Sequence, residues 1–168
     1  QWLGKHINTL QESVLTEKYE VSAVRKVEIQ KPDGGKRMLG IPTVKDRVVQ
    51  MAIKLAIEPI FEHTFRDSSH GFRPERGCKD ALREVDTWLK AGYTWVVDAD
   101  IKGYFDNISH ELMMSKVEQQ LADKRLLRLL EAFLKQDIMT ECASWKPNQG
   151  TPQGAVLSPL LANIYLNE

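Results

Sequence analysis

Three carboxylates stand close together in the stretch WVVDADIKGYFDNISH, residues 95–110, at Asp98, Asp100 and Asp106. Aspartate oxygens at the end of a strand are candidate ligands for a hard divalent cation. Mg²⁺ takes one or two carboxylates and leaves its other positions to water and substrate phosphates. Trp95, Val97, Ala99 and Ile101 alternate with Thr94, Val96, Asp98 and Asp100. That period of two predicts a strand over 94–101, with Asp98 and Asp100 on one face and the other face buried. A strand-end aspartate also serves as a turn former or helix cap, so the chemistry depends on what the rest of the chain brings to it.

Two other stretches carry groups suited to phosphates. Residues 24–42, VRKVEIQKPDGGKRMLGIP, read as a hairpin. Val24, Val27 and Ile29 form one strand, Met38, Leu39 and Ile41 the other, and Pro32-Asp33-Gly34-Gly35 has turn chemistry. Lys31 and Arg37 flank that turn from opposite arms. A lysine point charge facing an arginine fork can clamp a polyphosphate, although an ordinary charged hairpin looks the same in sequence. The stretch GTPQGAVLSPLLANIYLN, residues 150–167, begins with Gly150, Pro152 and Gly154, which let backbone approach a ligand closely. Ser158-Pro159 then reads as an N-cap with proline at the first helical position. Between these lies SSHGFRP, a polar loop whose Arg73 can grip a nucleic-acid backbone or pair with a nearby Glu or Asp.

The elements that must position these groups are mostly helical. A short helix is predicted over 1–20, and a helix over 43–65 with a kink or restart at Pro59. Another is predicted over 75–91, with Cys78, Ala81, Leu82, Val85, Trp88 and Leu89 on its inward face and Gly92 as its stop. Ser109 caps the next, which turns Leu112, Met113, Val117 and Leu121 inward. A further helix runs from about Asp123 to Lys135, and residues 138–146 make a short hairpin arm. The length of 168 residues suits one domain or a piece of a larger protein, and 42% hydrophobic residues suffice for a core. Net charge is zero, but residues 25–47 hold seven basic side chains against three acidic ones, which suits phosphate contacts. Cys78 and Cys142 lack metal-ligand spacing and read as reduced intracellular thiols. No stretch approaches a membrane span. The chain starts without Met and stops inside an apolar helical pattern, so both ends read as cuts within a longer protein.

Four pieces, in this order, resemble a reverse transcriptase of the group II intron-encoded type: IQKPDGGKRMLGIPTVKDRVVQ, SSHGFRPERG, VVDADIKGYFDNISH and GTPQGAVLSPLLANIYL. Retron and CRISPR-associated enzymes share the catalytic motifs. The long IPTVKDRVVQ and GFRPERG stretches favour the group II branch by resemblance. The resemblance implies an α+β right-hand polymerase fold, with helices packed on a small antiparallel sheet. Residues 1–92 would be an N-terminal helix and fingers, and residues 93–168 a partial palm. Asp100 matches the catalytic aspartate that holds two Mg²⁺ ions, with the backbone carbonyl of Ile101 assisting. Phe105 matches the aromatic steric gate beneath the sugar. Lys31 and Arg37 match the cations on the incoming triphosphate, and Gln153, with Pro152 and Gly154, the loop along nucleotide and template. Arg73 is a candidate nucleic-acid contact. Asp98 and Asp106 are expected to be structural.

The resemblance further implies a dNTP substrate, an intron RNA template, a DNA primer and a bacterial cytoplasmic setting, with no membrane. An alternative reading is a maturase module that binds intron RNA and assists splicing without polymerase chemistry. The family's second metal-binding element, a Tyr-X-Asp-Asp turn, does not occur in these 168 residues. The sequence therefore predicts a chain that is inactive by itself and binds no Mg²⁺ alone, with exposed palm surfaces that favour self-association.

Overall fold

The computed structural model describes residues 2–30, 34–140, 144–145, 147–151 and 154–167, with the side chains of Trp2, Leu3, Arg37 and Trp145 outside that description. The elements run α1 (Trp2–Leu15), β1 (Val24–Gln30), β2 (Lys36–Ile41), α2 (Val44–Glu62), α3 (Cys78–Lys90), a 3-10 turn (Tyr104–Asn107), α4 (His110–Glu118), α5 (Lys124–Leu134), β3 (Ile138–Met139), β4 (Ser144–Trp145) and α6 (Ser158–Leu166). The α+β class agrees with the sequence reading.

The expected ribbon forms, with Ile29 opposite Arg37 and Gln30 opposite Lys36. The sheet is mixed rather than antiparallel. Its order is β2-β1-β3-β4, and β1 runs parallel to β3 through Val24 and Ile138. Val24 N–H donates to the Asp137 carbonyl at 2.7 Å, and the Val24 side chain is fully buried. This central pairing is non-local, so no local pattern in either segment signals its direction.

The core is helical. Val49, Ile53, Ile57 and Phe61 form the buried stripe of α2 and meet Ile108, Met113 and Val117 around α4, Leu130, Phe133 and Leu134 of α5, and Leu160, Leu161 and Ile164 of α6. Burial of side chains of this size contributes about 1.5–3 kcal/mol each. Thr43 caps α2 by accepting from the Asp46 N–H at 3.1 Å. Asp46 is fully buried and accepts from Tyr19 Oη at 2.6 Å and Ser22 N–H at 3.3 Å, which ties the segment before β1 to the helix. Burial, reinforced by the bond to Asp46, drives the Tyr19 phenol far above its usual range.

Several local expectations give way to tertiary context. α2 runs through Pro59 to Glu62 without restarting. Pro59 and Leu55 are both exposed, on the solvent side of the helix, where water can replace the donor that proline denies the Leu55 carbonyl. Ser158 is not the cap of α6: Leu157 holds that position, and the buried Ser158 hydroxyl bonds Thr151 Oγ1 at 2.7 Å. Leu112 is 47% exposed rather than inward. On α3 no residue is buried, and the apolar face of Leu82, Val85, Trp88 and Leu89 lies open.

The largest correction concerns residues 94–101. They are an exposed, unladdered segment, and among the described residues no strand pairs with them. Trp95 is 96% exposed and Val97 93%, so neither face of the alternation is buried. A period of two states which partners a segment suits. It does not supply them, and the argument that Asp98 and Asp100 share a strand face lapses with the strand.

Candidate active site

Three of the motif-bearing stretches meet at one place. Gly103 enters the 3-10 turn at φ +62, and the Asn107 side-chain amide donates back to its carbonyl at 2.8 Å. This turn carries Phe105, which is partly buried with its ring 5.6 Å from that of Tyr104. Tyr104 Oη donates to the Ala162 carbonyl at 2.7 Å and so anchors the turn to α6. Burial, with a smaller contribution from Tyr165, pushes the Tyr104 phenol up to about 12.

The glycine-rich loop lies against this turn. Thr151 N–H donates to the Phe105 carbonyl at 2.8 Å, and Gly150 N–H to the Ile108 carbonyl at 2.7 Å. Gly150 sits at φ +88, and a Cβ there would stand 2.9 Å from the Asp106 carbonyl oxygen. This is a close approach that glycine alone allows. Further along, a Cβ on Gly154 would come within 3.2 Å of the Gly40 carbonyl in β2. Val156 N–H donates to the buried Gln50 side chain of α2 at 2.9 Å. The loop thus bridges the ribbon and the Phe105 turn. Between them lies a cavity of about 320 Å³ lined by Lys26, Leu39 and Gly40 of the ribbon, Asp106 of the turn, and Gly150 and Thr151 of the loop.

The predicted residues fare differently. Phe105 and Gly154 lie in this assembly. Lys31, Pro152 and Gln153 fall outside the described residues, as does the side chain of Arg37, whose backbone is in β2 opposite Ile29. Asp100 and Ile101 are exposed in the unladdered segment and do not line the cavity. Among the described residues Asp100 makes no hydrogen bond or ion pair, so its oxygens remain open to a ligand.

Arg73 is employed inside the protein. Its side chain is 2% exposed and pairs with Glu62 at 2.7 Å. One terminal nitrogen also donates to the Arg66 and Ser69 carbonyls, each at 2.7 Å, and the guanidinium lies 5.0 Å over the Phe65 ring. Of the alternatives open in sequence, grip or ion pair, the ion pair is the one built. Asp106 and His110 are the residues that sequence reasoning undervalued. Asp106 lines the cavity, and His110 is buried against Gly150. Only the direct juxtaposition of Asp106 with the aromatics hinted at its place.

The resemblance of the sequence motifs implies chemistry through divalent metal ions. Among the described residues no group of three or more His, Cys, Asp or Glu converges. The Asp100 carboxylate and Ile101 carbonyl fit the oxygen donors a hard cation takes, and they are too few to hold two ions unaided. No described helix is long and apolar enough to cross a membrane.

Comparison with known proteins fits this arrangement. The chain matches the family model for reverse transcriptase (RNA-dependent DNA polymerase) over residues 29–168. It is 42% identical to the group II intron-encoded protein LtrA of Lactococcus lactis subsp. cremoris over 89% of this chain and 25% of that protein. It is 39% identical to protein YkfC of Escherichia coli K12 over 99% of this chain and 45% of that protein. The chain therefore spans less than half the length of either. Among solved structures it resembles a partial Cas6-RT-Cas1–Cas2 complex, with a TM-score of 0.64 at 25% identity over 98% of this chain and 29% of the other. By the span of the family match, the chain belongs to the reverse transcriptase (RNA-dependent DNA polymerase) family.

Proposed function

We propose that this chain supplies the fingers and first part of the palm of an RNA-directed DNA polymerase of the group II intron-encoded type. Its substrates are a deoxynucleoside triphosphate, an intron RNA template and a DNA primer, and it works in the bacterial cytoplasm. What supports the reading is one juxtaposition: the glycine-rich loop is bonded to the Phe105 turn on one side and packed on the ribbon at Gly40 on the other. Stretches far apart in sequence thereby frame one cavity.

In this mechanism Asp100, with the Ile101 carbonyl, would hold Mg²⁺, which would supply charge neutralisation for nucleotidyl transfer. Lys31 and Arg37 hold the triphosphate, Lys as a point charge and Arg as a fork. Phe105 occupies the space a 2′-hydroxyl would need, so a ribonucleotide is refused by exclusion. Gln153, with Pro152 and Gly154, lies along the nucleotide and template. A second reading, a maturase that assists splicing, draws on the basic segment 25–47. It also draws on likeness to nuclear intron maturase 1, mitochondrial, of Arabidopsis thaliana, at 33% identity over 56% of this chain and 13% of that protein.

Asp100→Ala in the full-length protein tests the assignment. The expected result is loss of cDNA synthesis with intron splicing intact, and persistence of cDNA synthesis would refute it. The purified 168-residue chain, which contains no Tyr-X-Asp-Asp, is expected to incorporate no nucleotide.

A further inference from the structure

We infer that His110 is a positioning residue for sugar discrimination, acting through Gly150 on the backbone that carries Phe105. The inference rests on the reading of Phe105 as the residue beneath the sugar. His110 is 7% exposed, a buried polar side chain just after the Ser109 cap of α4. Its Nε2–H donates to the Gly150 carbonyl at 2.6 Å. A carbonyl can only accept, so the proton must sit on Nε2.

That bond completes a zipper. Gln149 bridges Ser109, Gly150 N–H donates to the Ile108 carbonyl, and Thr151 N–H donates to the Phe105 carbonyl. Both polar groups of the Gly150 backbone are therefore spent on residues 108–110. Gly150 in turn sits so near the Phe105 and Asp106 carbonyls that a Cβ would stand 3.0 and 2.9 Å from them. The position of the Phe105 backbone is thus set from behind by the loop, and the loop is held by His110. Exclusion of a single hydroxyl depends on sub-ångström placement of the excluding ring. A group that fixes the ring's backbone therefore governs selectivity without touching the nucleotide.

The test uses the full-length protein and compares kcat/KM for deoxynucleotide and ribonucleotide incorporation. Phe105→Val is expected to collapse the ratio. His110→Ala is expected to lower it about tenfold, chiefly through a lower KM for the ribonucleotide, and His110→Gln, which retains an N–H at similar reach, should restore most of it. Gly150→Ala, which pushes on the turn from the same side, should lower the ratio as well and serves if His110→Ala fails to fold. An unchanged ratio in Phe105→Val would refute the sugar-facing reading and this inference with it. A collapsed ratio in Phe105→Val with an unchanged ratio in His110→Ala or, where that variant does not fold, in Gly150→Ala would overturn the inference alone. Equal loss of both activities in His110→Ala and His110→Gln would overturn it too, as a purely structural role.

Discussion

Replacing Arg73 by alanine separates a structural arginine from a nucleic-acid contact. The guanidinium is 2% exposed, paired with Glu62 at 2.7 Å, and donates to two loop carbonyls. Alanine leaves Glu62 without its cation and removes the side-chain donor from the Arg66 and Ser69 carbonyls, of which Arg66 keeps only the Ser69 N–H at 3.1 Å. Removing one member of a buried, hydrogen-bonded ion pair costs about 3–5 kcal/mol, because the surviving charge stays behind uncompensated. Glu62 keeps a quarter of its side chain exposed, so water recovers part of the loss and the lower end of that range is expected. For a chain of this size each kcal/mol moves Tm by about 2–4 °C, so the midpoint should fall by roughly 10 °C. Thermal denaturation followed by circular dichroism measures this, alongside RNA binding well below the new midpoint. Arg73→Lys should recover little, since an ammonium cannot reproduce the fork or the stacking on Phe65. An unchanged Tm with weakened RNA affinity would refute the reasoning and return Arg73 to the nucleic-acid surface.

Two further outcomes can be checked. The Tyr104 phenol is raised from its ordinary 10 to about 12 in the folded chain. Between those values the unfolded chain ionises first, so the tyrosine's contribution is whole below pH 10 and is lost as pH rises toward 12. The full difference corresponds to roughly 3 kcal/mol, and solvent at the partly buried ring screens it to about 1 kcal/mol. The stability difference between wild type and Tyr104→Phe should shrink across that range, and a constant difference would contradict it. The open apolar face of α3, with Trp95 at 96% and Val97 at 93% exposure beside it in sequence, should drive self-association of the chain. Light scattering should rise with concentration, and Leu82→Lys combined with Val85→Lys should suppress it. A wild-type monomer at high concentration would count against the idea.

Local sequence determined much of this protein. Alternation in two neighbouring segments foretold the ribbon, whose two arms pair as read, because a short antiparallel hairpin is specified by neighbours in the chain. Ser109 and Asp123 cap their helices as local chemistry demands. The family was legible from motif order alone. Tertiary structure decided what depends on distant partners. The parallel pairing of β1 with β3 joins residues more than a hundred positions apart. The ion pair of Arg73, the diversion of Ser158 to Thr151, and the closure of His110 on Gly150 each depend on which group the fold places opposite. The amphipathic pattern of α3 and the alternation at 94–101 are the converse. They state an appetite for burial, and only the presence of a facing surface turns that appetite into a buried face.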